Sequence, residues 1–211
     1  MARLIGVFGG TFDPPHVGHL ILADTGRIAL GERLDKVLWV VAADPPHKPE
    51  DPITGIDLRL AMVAAAIEHN PFFELSRADV DRVGPHYTVD TIAWLQQRNP
   101  EDRFILLLGS DSLRDLLAWH QPRKLVESCE ALGVMRRPDA EVLLEDLKPE
   151  IPGIVDKVRF FDAPLVDISG REIRRRVREG LPYRYLVHPA VADIIAEQGL
   201  YPSMPRQPSG R

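Results

Sequence analysis

The sequence is poor in cysteine, with Cys129 alone among 211 residues. A single cysteine excludes an intramolecular disulfide and makes a cysteine-based zinc site implausible, a pattern typical of proteins in the reducing cytosol. A chain of this length buries roughly 70% of its unfolded surface, so its core needs neither disulfides nor a structural metal. With 45% hydrophobic and 27% charged residues, the composition indicates an ordinary globular protein.

Long hydrophobic runs and an excess of basic charge are also absent. No stretch approaches the ~20 apolar residues of a membrane span. The apolar run in residues 1–10 ends at two glycines, and it is too short for the ~7 to 15 apolar residues of a signal peptide. The 26 Lys and Arg are outnumbered by 31 Asp and Glu, which does not favour a nucleic-acid or membrane partner. We predict a cytoplasmic protein in which any polyanion site is local.

Short aliphatic runs alternate with helical patterns along the chain, as in βαβ units around a parallel sheet. Runs such as Val37–Val41 are apolar without alternation, which favours strands covered by helices on both faces. The sequence therefore predicts an α/β fold with a doubly wound parallel sheet. The predicted strands are Leu4–Phe8, Val37–Ala42, Phe72–Ser76, Phe104–Leu108, Ala131–Met135 and Val158–Phe161. The predicted helices cover 17–30, 56–69, 88–98, 111–119, 170–179 and 189–198.

Local signals refine this prediction. Thr54, three residues before Asp57, indicates the start of the second helix. Four prolines and a glycine predict a loop over 44–55, and prolines with Ser and Gly predict a disordered tail over 202–211. The residues Val17, Leu20, Ile21 and Ile28 share one face of the first predicted helix, and Asp24 falls on the same face without an explanation from the sequence.

The most informative segment covers residues 9–19, GGTFDPPHVGH, where the first predicted strand passes into the first helix. Gly9 and Gly10 allow a tight turn and close approach of a ligand, and the helix N-terminus offers N–H groups to an anion. His16 and His19 lie three residues apart, so both imidazoles point to nearly one side. Zinc would need two further ligands that no Cys or His cluster supplies. The segment therefore predicts a phosphate site, and no role for Asp13 follows from it.

A basic segment over 167–180 marks a second helix start. Ser169 followed by Glu172 is a capping-box pattern. In helical phase Ile173 and Val177 face the core, and Arg174 lies at the boundary. A hydroxyl at a helix start and a half-buried guanidinium can bind ATP phosphates together. We predict that Arg175, Arg176 and Arg178 are exposed to solvent, and that Arg176 pairs with Glu172 on the surface.

Both segments resemble motifs of the nucleotidyltransferases that carry a His-x-Gly-His sequence. Residues 9–19 are similar, nearly residue for residue, to the motif of bacterial nicotinate-mononucleotide adenylyltransferases, and Tyr87-Thr88 and Trp119 are similar to positions of their mononucleotide pocket. The resemblance implies one Rossmann-like domain over 1–201 with a small C-terminal helical part. It implies adenylyl transfer from ATP to nicotinate mononucleotide, giving nicotinate adenine dinucleotide and pyrophosphate in NAD biosynthesis. Magnesium is expected to arrive with ATP rather than on a protein site.

The site residues follow from this resemblance together with the position of Gly109 and Asp111 after a strand, at the edge where open α/β sheets bind ligands. The implied catalytic residues are His16, His19, Lys48 and Arg174. The implied ATP-binding residues are Gly9, Gly10, Thr11, His16, His19, Gly109, Asp111, Ile168, Ser169 and Arg174. The implied mononucleotide-binding residues are Lys48, Tyr87, Thr88 and Trp119.

The chain departs from the family in one motif, usually Ile-Ser-Ser-Thr-x-Ile-Arg. It has Gly170 and Arg171 where the family has Ser and Thr, so two hydroxyl groups are missing and Arg171 offers a charge instead. The alternatives are a sister adenylyltransferase for nicotinamide mononucleotide or phosphopantetheine, and a non-catalytic protein that binds nucleotide or RNA. The state of assembly, including a homo-oligomer, is left open.

Overall fold

The computed structural model describes residues 2–31, 33–44, 53–137 and 142–202. These residues form a six-stranded parallel sheet in the order β3-β2-β1-β4-β5-β6. The strands are β1 (Leu4–Gly10), β2 (Lys36–Val41), β3 (Phe73–Ser76), β4 (Arg103–Gly109), β5 (Ala131–Met135) and β6 (Val158–Phe161). The direction of winding reverses between β1 and β4, and the carboxyl ends of strands at such a point border a ligand crevice. The predicted doubly wound fold is confirmed.

The helices flank this sheet. They are α1 (Val17–Ala29), α2 (Ile56–Ile67), α3 (Thr88–Arg98), α4 (Ser110–Arg114), α5 (Pro122–Ser128), α6 (Leu144–Leu147), α7 (Ile154–Lys157), α8 (Gly170–Arg178) and α9 (Pro189–Glu197). The predicted helix over 111–119 was wrong, since α4 ends at Arg114 and a 3-10 turn follows over Leu116–Ala118. The prediction also missed α5, α6 and α7, which are too short to show a clear helical period.

The core lies on both faces of the sheet. Alternate residues of β1 enter different clusters, with Ile5 and Val7 on the face of α3 and α5, and Leu4 and Phe8 on the face of α1 and α2. This burial on both sides explains why several strands, such as β2 and β5, consist of nearly unbroken apolar runs. A third cluster joins α8 and α9 to Met62 of α2. The small C-terminal helical part is therefore fastened to the sheet through α2.

The aliphatic residues that share one face of α1 do not form its most buried face. Ile28 is 54% exposed, whereas Leu22, Ala23 and Gly26 are buried. The helix packs closely on the sheet at Gly26, where a Cβ atom would lie 3.1 Å from the Phe161 ring. The orientation of α1 is therefore set by close packing at Gly26 and not by its aliphatic side chains. In this orientation Asp24 is exposed.

The start of α2 also differs from the prediction, since its N-cap is Gly55 and not Thr54. Among the described helices, none combines the length and the apolar character that a membrane crossing requires.

Candidate active site

A cavity of about 740 Å³ opens at the carboxyl end of the sheet, between the loop after β1 and the start of α8. Most of the predicted ATP-binding residues line it. These residues are Thr11, His16, His19, Asp111, Ile168, Ser169 and Arg174. The cavity therefore brings the two sequence motifs, which lie some 150 residues apart in the chain, into one site.

The glycines of the first motif have a different role from the predicted one. Gly9 and Gly10 continue β1 and pair with Val40 and Val41 of β2. The chain turns after them, at Phe12, whose φ of 49° lies in the left-handed region. Gly109 likewise is the last residue of β4. The predicted tight turn at Gly9 and Gly10 is therefore wrong by about two residues. The glycines are the last residues of β1, and the turn follows them.

His16 and His19 stack on each other at the start of α1. Their ring centroids lie 3.6 Å apart with an interplanar angle of 23°. The backbone N–H of His16 donates to Nδ1 of His19 at 3.2 Å, so Nδ1 is unprotonated and the ring hydrogen resides on Nε2. Phe12 packs edge-on against the His19 ring, with centroids 5.1 Å apart. The His19 ring is thereby held as a neutral donor at the cavity wall.

Both imidazoles are neutral near pH 7. Burial lowers the pKa of His16 to about 4, with a smaller contribution from the charge of Arg137. Burial also lowers the pKa of His19 well below its ordinary value, helped by His16 and Arg137. Nδ1 of His16 is buried and has no hydrogen-bond partner among the described residues. These rings can donate or accept hydrogen bonds without adding charge to the site.

Asp13, for which the sequence suggested no role, is the centre of a buried hydrogen-bond network. One carboxylate oxygen accepts from the Tyr201 hydroxyl at 2.6 Å, and the other accepts from the backbone N–H of Thr54 at 3.1 Å. Its backbone carbonyl accepts from Nη1 of Arg174 at 2.7 Å. The loop after β1 is thus fixed to the start of α2, to α8 and to the end of the described chain.

Arg59 of α2, which was not predicted as a site residue, also holds the loop after β1 in place. Its side chain is 2% exposed and donates to the backbone carbonyls of Thr54, Thr11 and Ala42 at 2.8, 3.0 and 2.8 Å. The signal available in the sequence was a cation within the otherwise apolar run LRLAMV. A buried arginine of this kind satisfies carbonyl groups that a loop leaves unpaired.

The start of α8 forms the opposite wall. Ser169 is the N-cap, and its hydroxyl accepts from the backbone N–H of Glu172 at 3.2 Å. The Glu172 carboxylate forms ion pairs with Arg175 and Arg176, at 2.8 and 2.7 Å. These contacts lower the pKa of Glu172 to about 2. The predicted pair of Glu172 and Arg176 is confirmed. Of the predicted capping box, the hydrogen bond from the Glu172 backbone to the Ser169 hydroxyl is observed.

Charged groups complete the cavity. Arg137, in the loop after β5, lines it and lies 3.7 Å from Asp111, between Nε and Oδ1. No feature of the sequence had marked Arg137. Within the described ranges, no three His, Cys, Asp or Glu side chains gather as a metal site. The thiol of Cys129 is buried, and burial raises its pKa to about 12, so it is not a nucleophile.

Three of the predicted mononucleotide-binding residues, Tyr87, Thr88 and Trp119, do not line this cavity. Tyr87 is the N-cap of α3 and stacks on His120, with centroids 4.0 Å apart. Thr88 is the first residue of α3, and Trp119 packs against the core cluster of that face. Because His120 follows Trp119 in the chain, the stack brings these two segments together. Lys48 lies outside the described residues.

The start of α3 is held by a second polar network. Arg82 donates to Asp79 and to Thr91, both at 2.9 Å. His86 bonds the Asp44 carboxylate at 2.9 Å. Asp44 belongs to the segment after β2, so this bond connects α3 to the carboxyl edge of the sheet.

Comparison with known proteins agrees with this architecture. A family model described as cytidylyltransferase-like matches residues 7–176. A Thermomicrobium roseum protein named "Probable nicotinate-nucleotide adenylyltransferase" is 45% identical over 201 residues, covering 95% of this chain and 92% of the relative. A protein of the same name from Salinibacter ruber is 42% identical over 197 residues, covering 93% and 97%.

Solved structures share the fold. The nicotinic acid mononucleotide adenylyltransferase of Plasmodium falciparum complexed with NaAD aligns with a TM-score of 0.75 and 21% identity, over 94% of this chain and 97% of that chain. The same enzyme complexed with APC aligns with a TM-score of 0.74. The chain therefore belongs to the cytidylyltransferase-like family and, within it, to the nicotinate-nucleotide adenylyltransferases.

Proposed function

We propose that this chain transfers the adenylyl group of ATP to nicotinate mononucleotide, forming nicotinate adenine dinucleotide and pyrophosphate. The observation that carries the proposal is that one cavity is lined by His16 and His19 together with Ser169 and Arg174. The names of the relatives, at 42 to 45% identity over most of the chain, support the choice of reaction.

In the proposed reaction, a phosphate oxygen of the mononucleotide attacks the α-phosphorus of ATP. The bond from that phosphorus to the bridging oxygen breaks, and its electron pair leaves with pyrophosphate. A phosphate ester is mostly a dianion near pH 7 and needs no general base. The protein therefore acts by alignment and by stabilising charge in the transition state.

The site residues have distinct roles in this scheme. His19 donates through Nε2 to an oxygen of the α-phosphate, because its Nδ1 is engaged with the His16 backbone. Arg174, held by the Asp13 carbonyl, places a positive charge beside the same phosphate. Ser169 and the start of α8 offer further donors to the phosphates. Gly9, Gly10 and Gly109 end the strands that carry these loops.

Magnesium carried by ATP would neutralise charge on the departing pyrophosphate. The residues fit this role, because magnesium bound to phosphates uses one or two carboxylates and otherwise water. Asp111 is the accessible carboxylate, since both oxygens of Asp13 accept hydrogen bonds. From the sequence, we also propose that Lys48 approaches the phosphates and that Tyr87, Thr88 and Trp119 contact the mononucleotide. We further propose that the protein is cytoplasmic, that residues 1–201 form one domain, and that it has no nucleic-acid partner.

The test is pyrophosphate release by the purified chain with ATP and each of three acceptors. We expect turnover with nicotinate mononucleotide, and at least about tenfold lower kcat/KM with nicotinamide mononucleotide, because the amide misplaces a buried polar group. Phosphopantetheine should be inactive. EDTA should stop the reaction, and added magnesium should restore it, whereas a zinc-selective chelator should have no effect. Preference for either other acceptor would reassign the substrate, and no release with any acceptor would refute the adenylyltransferase.

A further inference from the structure

His86 is a polar residue just before α3 to which the proposed function assigns no role. Its side chain is only 7% exposed. One ring nitrogen, Nδ1, lies 2.9 Å from Oδ2 of Asp44, and the other, Nε2, lies 3.1 Å from the backbone carbonyl oxygen of Arg82. Both nitrogens thus face an oxygen acceptor, and a doubly protonated imidazole donates to both. The ring is therefore fixed between two segments of the chain.

The segment after β2, which carries Asp44, is held to the ATP side of the proposed site. The backbone N–H of Ala42 donates to the carbonyl of Gly10, the last residue of β1, at 2.9 Å. Arg59 donates to the carbonyl of Ala42 at 2.8 Å, and the same guanidinium donates to the carbonyl of Thr11 at 3.0 Å. The backbone beside Asp44 is therefore held together with the loop after β1.

The segment that carries His86 has bonds of its own. Arg82 donates to Asp79 and Thr91, and Thr91 in turn donates to Asp79. All of these bonds lie within residues 79–91, so they join the start of α3 to the loop that precedes it. The bond from His86 is different, because it crosses to the segment after β2. It therefore connects the acceptor side of the proposed site to the ATP side.

Gly84 leaves room for this pair. A Cβ atom at Gly84 would lie 3.1 Å from Nδ1 of His86 and 3.2 Å from Oδ2 of Asp44, which is tighter than most carbon contacts in proteins. A side chain at this position would therefore press on both partners. The glycine allows the loop before α3 to pass close to the segment after β2.

We propose that His86 is a positioning residue for the acceptor, because its bond to Asp44 fixes the start of α3 relative to the ATP site. Tyr87 and Thr88 follow His86 directly, and they are residues that we propose contact the mononucleotide. Without the bond, the start of α3 occupies the binding position for only a fraction of the time. The apparent affinity for the acceptor falls by that fraction. This inference rests on the proposed function.

The experiment measures KM and kcat of the forward reaction for wild type, His86→Ala, Asp44→Ala, the double variant and Asp44→Asn. Each single alanine variant should raise KM for nicotinate mononucleotide about tenfold, with KM for ATP changed less than about twofold. The double variant should also show about a tenfold increase, because the second substitution removes a partner of a bond already lost. Asp44→Asn should stay within about threefold of wild type, since an amide can still bond Nδ1.

Asp81→Ala is the matched control, because it also removes an exposed carboxylate, one that pairs with Arg77 within the loop before α3. It should resemble wild type. Four results would overturn the inference: an unchanged KM for the acceptor in His86→Ala, equal increases of KM for both substrates, an additive effect in the double variant, or no rescue by Asp44→Asn. In each case, turnover by wild type would still uphold the proposed function.

Calorimetry separates the two ideas if wild type shows no turnover. Nicotinate adenine dinucleotide would occupy both sides of the proposed site, whereas ATP would occupy one, so the Kd values of these two ligands are compared. Weaker binding of the dinucleotide by His86→Ala and Asp44→Ala than by Asp81→Ala, with ATP binding unchanged, would support the positioning role. Equal binding of the dinucleotide by the three variants, or no binding by wild type, would refute it.

Discussion

The two sides of the proposed site present different groups to a ligand. On the ATP side, Asp13 and Arg59 join the loop after β1 to α2 and α8 through buried hydrogen bonds. On the acceptor side, Tyr87 is 40% exposed and stacks on His120, which is also exposed. The ATP side therefore presents fixed donors, and the acceptor side presents aromatic surfaces.

This difference fits the chemistry of phosphoryl transfer, in which catalysis comes from donors that are in place before charge develops. Donors held by buried networks lose little free energy to reorganisation when the phosphate arrives. The acceptor must only be oriented, and stacking of a flat ring on an aromatic side chain provides orientation with less demand on geometry. Substitutions on the ATP side should therefore lower kcat, and those on the acceptor side should raise KM.

The largest effect is expected for His19→Ala. Loss of a donor matched to the transition state should lower kcat by about a hundredfold or more, with a modest change in ATP affinity. Replacement of His16 should be similarly harmful. Initial rates at saturating ATP and direct binding of an ATP analogue measure the two quantities, and a near-normal kcat would remove His19 from the catalytic set.

The buried imidazoles should also make stability depend on pH. The pKa of His16 is about 4 in the folded chain and about 6.5 when unfolded, so the unfolded chain binds more protons between these values. Stability contributed by the neutral ring is full above pH 6.5 and falls as pH drops toward 4, by on the order of 1–3 kcal/mol. Urea unfolding at pH 7 and pH 5 of wild type and His16→Gln measures it. An equal pH dependence in both proteins would contradict the assignment.

Tyr201→Phe tests the network behind the ATP side. It leaves a buried oxygen of Asp13 without the donor that now lies 2.6 Å away, which costs about 1–3 kcal/mol. We expect kcat/KM for ATP to fall about tenfold and KM for the acceptor to stay unchanged. Tyr185→Phe is the matched control because Tyr185 is 96% exposed. Equal loss for both substrates would show a general loss of structure instead.

The smallest effect is expected for Trp119→Ala on the acceptor side. Loss of stacking should raise KM for nicotinate and nicotinamide mononucleotides alike, by about threefold to tenfold, and preserve the preference for the acid. Trp94→Ala is the control, since Trp94 packs against the same cluster and stacks with Arg98. A lower kcat with unchanged KM in Trp119→Ala would contradict the difference between the two sides.

Local patterns in the sequence were sufficient for much of the fold. The bounds of β5, β6 and α3 were predicted as they are observed, because short aliphatic or aromatic runs mark the strands and a clear helix start marks α3. The placement of the first motif between β1 and α1 followed from the same alternation of strands and helices. The face of α1 could not be predicted, since it depends on close packing of Gly26 against Phe161, a residue of β6.

The supporting residues of the site were beyond prediction for a related reason. Asp13 and Tyr201 lie 188 residues apart in the chain, and no local pattern connects them. Arg59 and Arg137 act on loops that belong to other elements, so only the folded arrangement reveals them. By contrast, the residues that touch phosphate in the proposal cluster at two helix starts, and helix starts leave a clear mark in a sequence.

The contact between Arg174 and the Asp13 carbonyl joins the two motifs, and its test is the most direct one for the account. Arg176 is the matched control on the same helix, because it binds Glu172 and the Pro182 carbonyl instead. We measure kcat/KM for ATP in Arg174→Ala and Arg176→Ala. We expect a loss at least about tenfold larger for Arg174→Ala. Equal losses, or a larger loss for Arg176→Ala, would contradict a site formed by the two motifs together.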